Sequence, residues 1–312
     1  MQIGHVCDVG KERQLNEDSL MWVWLTAKFQ TGSVPAGLFV VADGMGGHSA
    51  GEVASEWGIR IFAKECLSRL LDPAGGTEAE KGSQPADLKD ILEYAVKVAN
   101  SVLFQWTKEN EALHGMGTTI TSGLIVDQDL YIVHVGDSRC YIVNTRETIQ
   151  LTKDHSLIQE MVDSGLITSE EARVHPKKNI ITRVVGYYQD IDVDVNHYKL
   201  YQGDNILLCS DGLWGVLPDR HITEVVLTAE TPQFACEQLA ARANASGGPD
   251  NISVIVVRPE GLPSWQEVLT ADTEIGKTPG ESQCKEEEPK KTQGKLRSIF
   301  RWQKTSTSLF PW

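Results

Sequence analysis

Four aspartates stand where apolar runs end. Asp43 directly follows LFVVA (38–42), Asp137 follows LYIVHV (130–135) by one glycine, Asp211 follows NILLC (205–209) by one serine, and Asp250 precedes ISVIVV (252–257). If those runs are neighbouring strands of one core, four carboxylates meet at their ends, where an isolated carboxylate would be costly to bury. A hard divalent cation, Mg²⁺ or Mn²⁺, resolves that conflict, because such ions prefer oxygen ligands. Glycine follows Asp43 and Asp211 and precedes Asp137, which permits tight turns and close approach of backbone carbonyls to an ion. Asp-Gly after a strand is also an ordinary turn signal, sufficient at any single one of these positions. The argument for a metal rests on all four together. The N-terminal run adds Arg13, Asn16, Glu17 and Asp18. Arg13 can offer a planar fork to a phosphate, and Glu17 and Asp18 can reach a metal directly or through water. Taken alone, RQLNED reads as a solvated charged loop.

The elements that must position these residues are legible from β-branched content and turn boundaries. Strands are expected at 38–42, 119–126, 130–135, 140–144, 205–209 and 252–257. Three of them are consecutive, linked only by DQD and GDSR. Links that short allow hairpins and not crossovers, so the central sheet is expected to be at least partly an antiparallel meander. Helical patterns fill 50–71, 87–110, 155–163, 219–229 and 232–245, with a loop at 72–86. The composition changes at about residue 259. The segment 260–312 opens polar, as expected of a disordered linker, and closes with the basic and aromatic KLRSIFRWQKTSTSLFPW.

The net charge of -14 argues against nucleic acid as the main partner. The charges of the last segment cancel, so the acidity belongs to the first part; solubility alone also accounts for it. The six cysteines, Cys7, Cys66, Cys140, Cys209, Cys236 and Cys284, form no CxxC pair and read as reduced, mostly buried thiols of a cytoplasmic protein. The first residues lack the pattern of a signal peptide, and no run of about 18 apolar residues is present to span a membrane. A monomer is expected.

In order along the chain stand R-x-x-N-E-D (13–18), V-A-D-G-M-G-G-H (41–48), G-T-T (117–119), V-G-D-S-R (135–139), D-H-S-L (154–157), C-S-D-G-L (209–213) and D-N-I-S (250–253). Each is weak alone; together they resemble the bacterial type 2C protein phosphatases, the metal-dependent PPM family, over residues 5–258. The resemblance implies an α+β fold of two packed antiparallel β-sheets flanked by helices, an α/β/β/α sandwich. It implies hydrolysis of phosphoserine and phosphothreonine in proteins, opposing a bacterial serine/threonine kinase. Carried onto this sequence, Asp43 should bridge two Mn²⁺ or Mg²⁺ ions. Asp211 and Asp250 should complete the first ion, and the Gly44 carbonyl and Glu17, the latter through water, should serve the second. Asp18 resembles an outer partner of the metal waters, Arg13 the holder of the substrate phosphate, and Asp137 with Asp211 the pair that binds a weaker third ion. Two such ions lower the pKa of a bridging water and neutralise phosphoryl charge.

The leaving alkoxide needs a proton, for which His48 is the candidate, with metal-bound water as the alternative. His155 is expected to fix structure, His134 to be a satisfied strand residue, and Thr118 and Thr119 to support the metal loop. In the family the segment 154–186 forms a flap beside the site, here expected to shape substrate choice. IGKTPG (275–280) fails the phosphate-loop pattern at Ala271 and lacks a preceding strand. Competing readings are a catalytically silent scaffold, against which the intact aspartate set argues, and a phosphatase dedicated to one partner. The basic aromatic end could dock weakly on a membrane surface or a partner.

Overall fold

The computed structural model describes residues 1–29, 32–46, 50–71, 87–168, 171–172 and 175–265. Two antiparallel sheets stack face to face. One has the order β1-β11-β10-β7-β8, from β1 (Gln2–Asp8), β11 (Ile252–Arg258), β10 (Asn205–Cys209), β7 (Arg139–Val143) and β8 (Thr148–Gln150). The other has the order β2-β3-β5-β6-β9, from β2 (Asp18–Phe29), β3 (Gly32–Met45), β5 (Ile120–Val126), β6 (Asp129–Val135) and β9 (Asp194–Lys199), with the short β4 (Gly117–Thr118) paired to the end of β3. Between the sheets lie Phe39, Val41, Leu130, Ile132, Cys140, Ile206, Leu208 and Ile255. The alternate residues of the same strands face outward: Leu38, Val40 and Leu124 meet α1 (Ala50–Leu71) and α2 (Leu88–Glu109). Tyr141, Leu207 and Val254 meet α5 (Asp219–Thr228) and α6 (Pro232–Ala245). Strands buried on both faces explain why their sequences read as continuous apolar runs.

Local chemistry starts the helices where the sequence reading expects them. Asp87 caps α2 by accepting from Lys89 N–H, and Thr231 caps α6 by accepting from Phe234 N–H, with proline at the first helical position. The buried face of α1 opens with Ala50, Gly51, Ala54, Ser55 and Gly58. Side chains this small let the helix come down onto the ends of β2 and β3, where Ser55 Oγ lies 2.9 Å from Ser19 Oγ.

Two expectations change. DQD does make a β5–β6 hairpin, but GDSR carries the chain from β6 in one sheet to β7 in the other. The meander therefore breaks at Asp137, because its glycine and short turn bridge stacked layers instead of adjacent strands. The helix expected at 155–163 is α3 (Leu157–Asp163), which ends where expected, and Gly165 with φ +71° follows. The change of composition near residue 259 is not where packing stops. Leu262 joins the core between the sheets, Gln202 N–H donates to the Pro263 carbonyl at 3.0 Å, and the Arg146 guanidinium lies 5.0 Å from the Trp265 ring centre. The loop 72–86 and the segment from 266 onward lie outside the described residues. Of the described cysteines, Cys66, Cys140, Cys209 and Cys236 are buried and Cys7 is exposed; all five are free thiols. No described helix is long and apolar enough to cross a membrane.

Candidate active site

The end of β3 is the centre of the site. Asp18 and Asp43 are register partners on β2 and β3. The Asp43 backbone is held on both sides: its N–H donates to Thr119 Oγ1 at 2.8 Å, and its carbonyl accepts from Thr119 N–H at 2.8 Å and Thr118 Oγ1–H at 3.0 Å. Thr119 Oγ1 in turn meets Ser138 Oγ at 2.8 Å. The GTT run thus ties the Asp43 loop to the GDSR turn. Gly44 is dictated by space: a Cβ there would fall 2.0 Å from the Gly51 carbonyl oxygen of α1 and 2.6 Å from the Glu17 carbonyl oxygen. The small-residue face of α1 and the glycine of the DGMGG run are therefore one feature. Glu17 lies against the same spot, its Oε1 2.4 Å from where a Gly51 Cβ would be.

Four further carboxylates act on Asp43. Burial, and then the charges of Asp18, Asp211, Asp137 and Asp250, push its pKa well above the ordinary carboxylate range. Asp18 is raised to about 7, first by burial and also by Asp211 and Asp250, although Ser210 Oγ–H donates to its Oδ2 at 2.6 Å. Asp211, the first residue of α4 (Asp211–Trp214), is raised to about 6 by burial and by Asp250. A hydrogen bond with Asp43 and the positive charges of Arg13 and Lys178 hold it lower than it would otherwise stand. Asp137 is raised well above its usual range by burial, Asp211 and Asp154. One of its carboxylate oxygens, Oδ1, is buried with no hydrogen-bond partner. The Glu17 carboxyl is raised too, mostly by burial.

The Asp137 turn is braced from three sides. Gly136 takes φ +114°, and a Cβ there would sit 2.5 Å from Thr119 Cγ2. Trp214 Nε1–H donates to the Asp137 carbonyl at 3.0 Å, and the Arg139 guanidinium stacks 3.7 Å over the Trp214 ring. Arg139 also forks onto Asp154 through Nε and Nη2 at 2.9 and 2.7 Å. His155 Nδ1 accepts from Gly136 N–H at 3.1 Å, while its Nε2 faces Asp194 Oδ2 at 3.2 Å. The expected structural role of His155 is thus visible. His134 is buried, with Nδ1 at 2.9 Å from Thr121 Oγ1 and Nε2 at 3.1 Å from the Lys153 carbonyl, and burial lowers its pKa to about 3. It is a neutral core residue.

Arg13 reaches the cluster from an exposed loop: Nη2 donates to Asp250 Oδ2 at 2.8 Å. Asp18, Asp43, Asp137, Asp211 and Asp250 meet at one end of the two stacked sheets, with Arg13 bonded to Asp250 and Glu17 and Gly44 against α1 beside them. His48 lies outside the described residues. The base of the expected flap is sewn in, by bridges between Ser156 and Ile181 and between Thr118 and Val185, while Leu166 is 72% exposed. Sequence reasoning missed Ser210, Ser138, Asn251 and the Arg139–Asp154 pair. The serines and Asn251 carry no charge, and Arg139 and Asp154 neutralise each other; the only signal for them was their place inside the motifs.

Such a cluster suits hard cations. Crowded carboxylates withdrawn from water need protons or cations to offset their charge, and the buried Asp137 Oδ1 oxygen has no hydrogen-bond donor. The donors are oxygens, as Mg²⁺ and Mn²⁺ require. Among the described residues no group of three or more His, Cys, Asp or Glu side chains is arranged to hold an ion by itself. Mg²⁺ and Mn²⁺ keep waters beside their carboxylate ligands, so an arrangement open on one side fits such ions better than a closed cage.

The sequence profile of the protein phosphatase 2C family matches residues 4–161. The chain belongs to the protein phosphatase 2C family. It is 34% identical to the serine/threonine phosphatase stp of Listeria monocytogenes over 223 residues, 70% of this chain and 83% of the relative. The solved structure of the Mycobacterium tuberculosis serine/threonine phosphatase PstP/Ppp superposes with a TM-score of 0.67 at 36% identity, covering 82% of this chain and 97% of that one. A structure of the catalytic domain of PstP in complex with two manganese ions does so with a TM-score of 0.65 at 34% identity, covering 82% and 96%. The expected PPM-type phosphatase and its two-sheet sandwich are the family's own.

Proposed function

We propose that this phosphatase hydrolyses phosphoserine and phosphothreonine in proteins, in the cytoplasm, opposing a serine/threonine kinase in a signalling pathway. The observation that carries this reading is the half-buried Asp43 carboxylate crowded by Asp18, Asp211, Asp137 and Asp250. Two Mn²⁺ or Mg²⁺ ions, when bound, supply positive charge for the phosphoryl group and a water activated for attack. Asp43 would be shared by both ions, Asp211 and Asp250 would complete one, and the Gly44 carbonyl and Glu17 would serve the other. The manganese in the related PstP catalytic domain supports this choice of ion. Asp18, held by Ser210, would order solvent beside Asp43. Arg13, half exposed and bonded to Asp250 through one nitrogen, has further N–H donors for the substrate phosphate. The unpartnered Asp137 oxygen beside Asp211 favours a weaker third ion there. The donor of the leaving-group proton is then His48 or solvent at that third position.

Hydrolysis of a phosphothreonine peptide should require added Mn²⁺ or Mg²⁺ and stop with chelator, and Asp211→Ala should abolish it. Zinc-only activity would point to another class of metallophosphatase.

A further inference from the structure

The loop that carries Arg13 has no burial of its own. Lys11, Glu12, Arg13, Gln14 and Leu15 are all exposed, so hydrogen bonds alone set its shape. They come from the turn between α6 and β11. Lys11 N–H and Glu12 N–H donate to the Gly248 carbonyl at 2.8 and 3.2 Å, and Asn244 Nδ2 donates to Asp8 Oδ1 at 3.1 Å. The densest set belongs to Asn251, a side chain only 4% exposed. Its Nδ2 donates to the Val9 carbonyl at 2.9 Å and to the Leu15 carbonyl at 3.0 Å, while its Oδ1 accepts from Glu17 N–H at 2.8 Å. Its own N–H donates to Asp250 Oδ1 at 2.9 Å. One amide therefore clasps both ends of the loop, and its backbone holds the carboxylate that Arg13 meets.

We infer that Asn251 is a positioning residue for the substrate phosphate: it sets where Arg13 stands relative to the Asp43 cluster. The inference rests on the proposed role of Arg13 in binding phosphate. No side chain of similar size repeats the pattern, because it needs two donors and one acceptor on a rigid plane. Aspartate keeps the acceptor for Glu17 but turns both donors into acceptors facing the Val9 and Leu15 carbonyls. The loop ends then repel the residue that joined them. A guanidinium misplaced by about an ångström loses most of its value in holding a reacting group.

The test uses the full chain saturated with Mn²⁺. Asn251→Asp should raise the inhibition constant of inorganic phosphate and the KM for a phosphothreonine peptide by about tenfold or more, with a smaller fall in kcat. Arg13→Ala should do the same, and the double variant should be no worse than Arg13→Ala alone, since a displaced Arg13 has nothing left to lose. Cleavage by trypsin after Lys11 and Arg13 should speed up in Asn251→Asp, with or without metal. Asn251→Ser, which adds no charge, serves if the aspartate variant fails to fold, and its effects should run the same way. Additive losses in the double variant, or faster cleavage with phosphate inhibition unchanged, would overturn the positioning role. If Arg13→Ala itself leaves phosphate inhibition unchanged, the role proposed for Arg13 is what falls.

Discussion

Replacing Asp18 by asparagine should make the chelated protein more stable and leave the metal-loaded protein no more stable than the parent. Asp18 is 6% exposed, and its pKa stands at about 7 against an ordinary 3.8. A carboxyl whose folded pKa is raised costs nothing below its unfolded pKa, since both states then hold the proton. The cost grows as pH rises from about 4 and is complete above about 7. That difference in pKa corresponds to about 4 kcal/mol at pH 8 and to under half as much at pH 5. The upper figure is a ceiling, because neighbouring carboxyls can take up protons in its place. Asparagine removes the charge and can still accept from Ser210 Oγ–H. In chelator at pH 8, Asp18→Asn should melt roughly 5–10 °C above the parent, and the gap should narrow at pH 5. With saturating Mn²⁺ the carboxylates are neutralised by the ions, so the gain should vanish, and Mn²⁺ affinity should drop about tenfold as solvent beside the ions loses its partner. Calorimetric melting in both conditions reads all of this. A variant less stable than the parent in chelator at pH 8, or a gap that does not change with pH, would refute the reasoning.

Two further outcomes follow from the same geometry. Asp137→Ala should retain two tightly bound ions by titration calorimetry, lose most turnover of phosphopeptides and lose less on an activated aryl phosphate, whose leaving group needs less protonation; equal loss on both substrates would remove the third ion. A chain ended after Trp265 should keep full activity on an aryl phosphate, whereas one ended after residue 259 should be about 1–2 kcal/mol less stable in thermal unfolding, because Leu262 leaves the core between the sheets.

The strands buried on both faces and the capped helices were legible because burial and capping write themselves into composition. The missed strands are those whose surroundings differ. β1 (QIGHVCD) and β9 (DVNHYK) lie at sheet edges with polar, partly exposed faces. β2 (DSLMWVWLTAKF) puts Trp22 and Trp24 at the surface, so apolar residues on both faces erase its alternation. The GDSR link looked like a hairpin because length alone does not tell neighbouring strands from stacked sheets. The carboxylates of the site could be found by type and position. Asn251, Ser210 and Ser138 could not, since their importance lies in what they hold: a loop 234 residues from Asn251 in sequence at Glu17, Asp18, and the threonine beneath Asp43.

The central claim is that Asp43 is shared by both ions. Titration of Mn²⁺ into the chelated full chain, followed by calorimetry, tests it most directly. The parent should bind two ions tightly, and Asp43→Ala, folded by circular dichroism, should lose tight binding at both positions and all hydrolysis of a phosphothreonine peptide. An Asp43→Ala protein that still binds two ions tightly and still turns over the peptide would contradict the account.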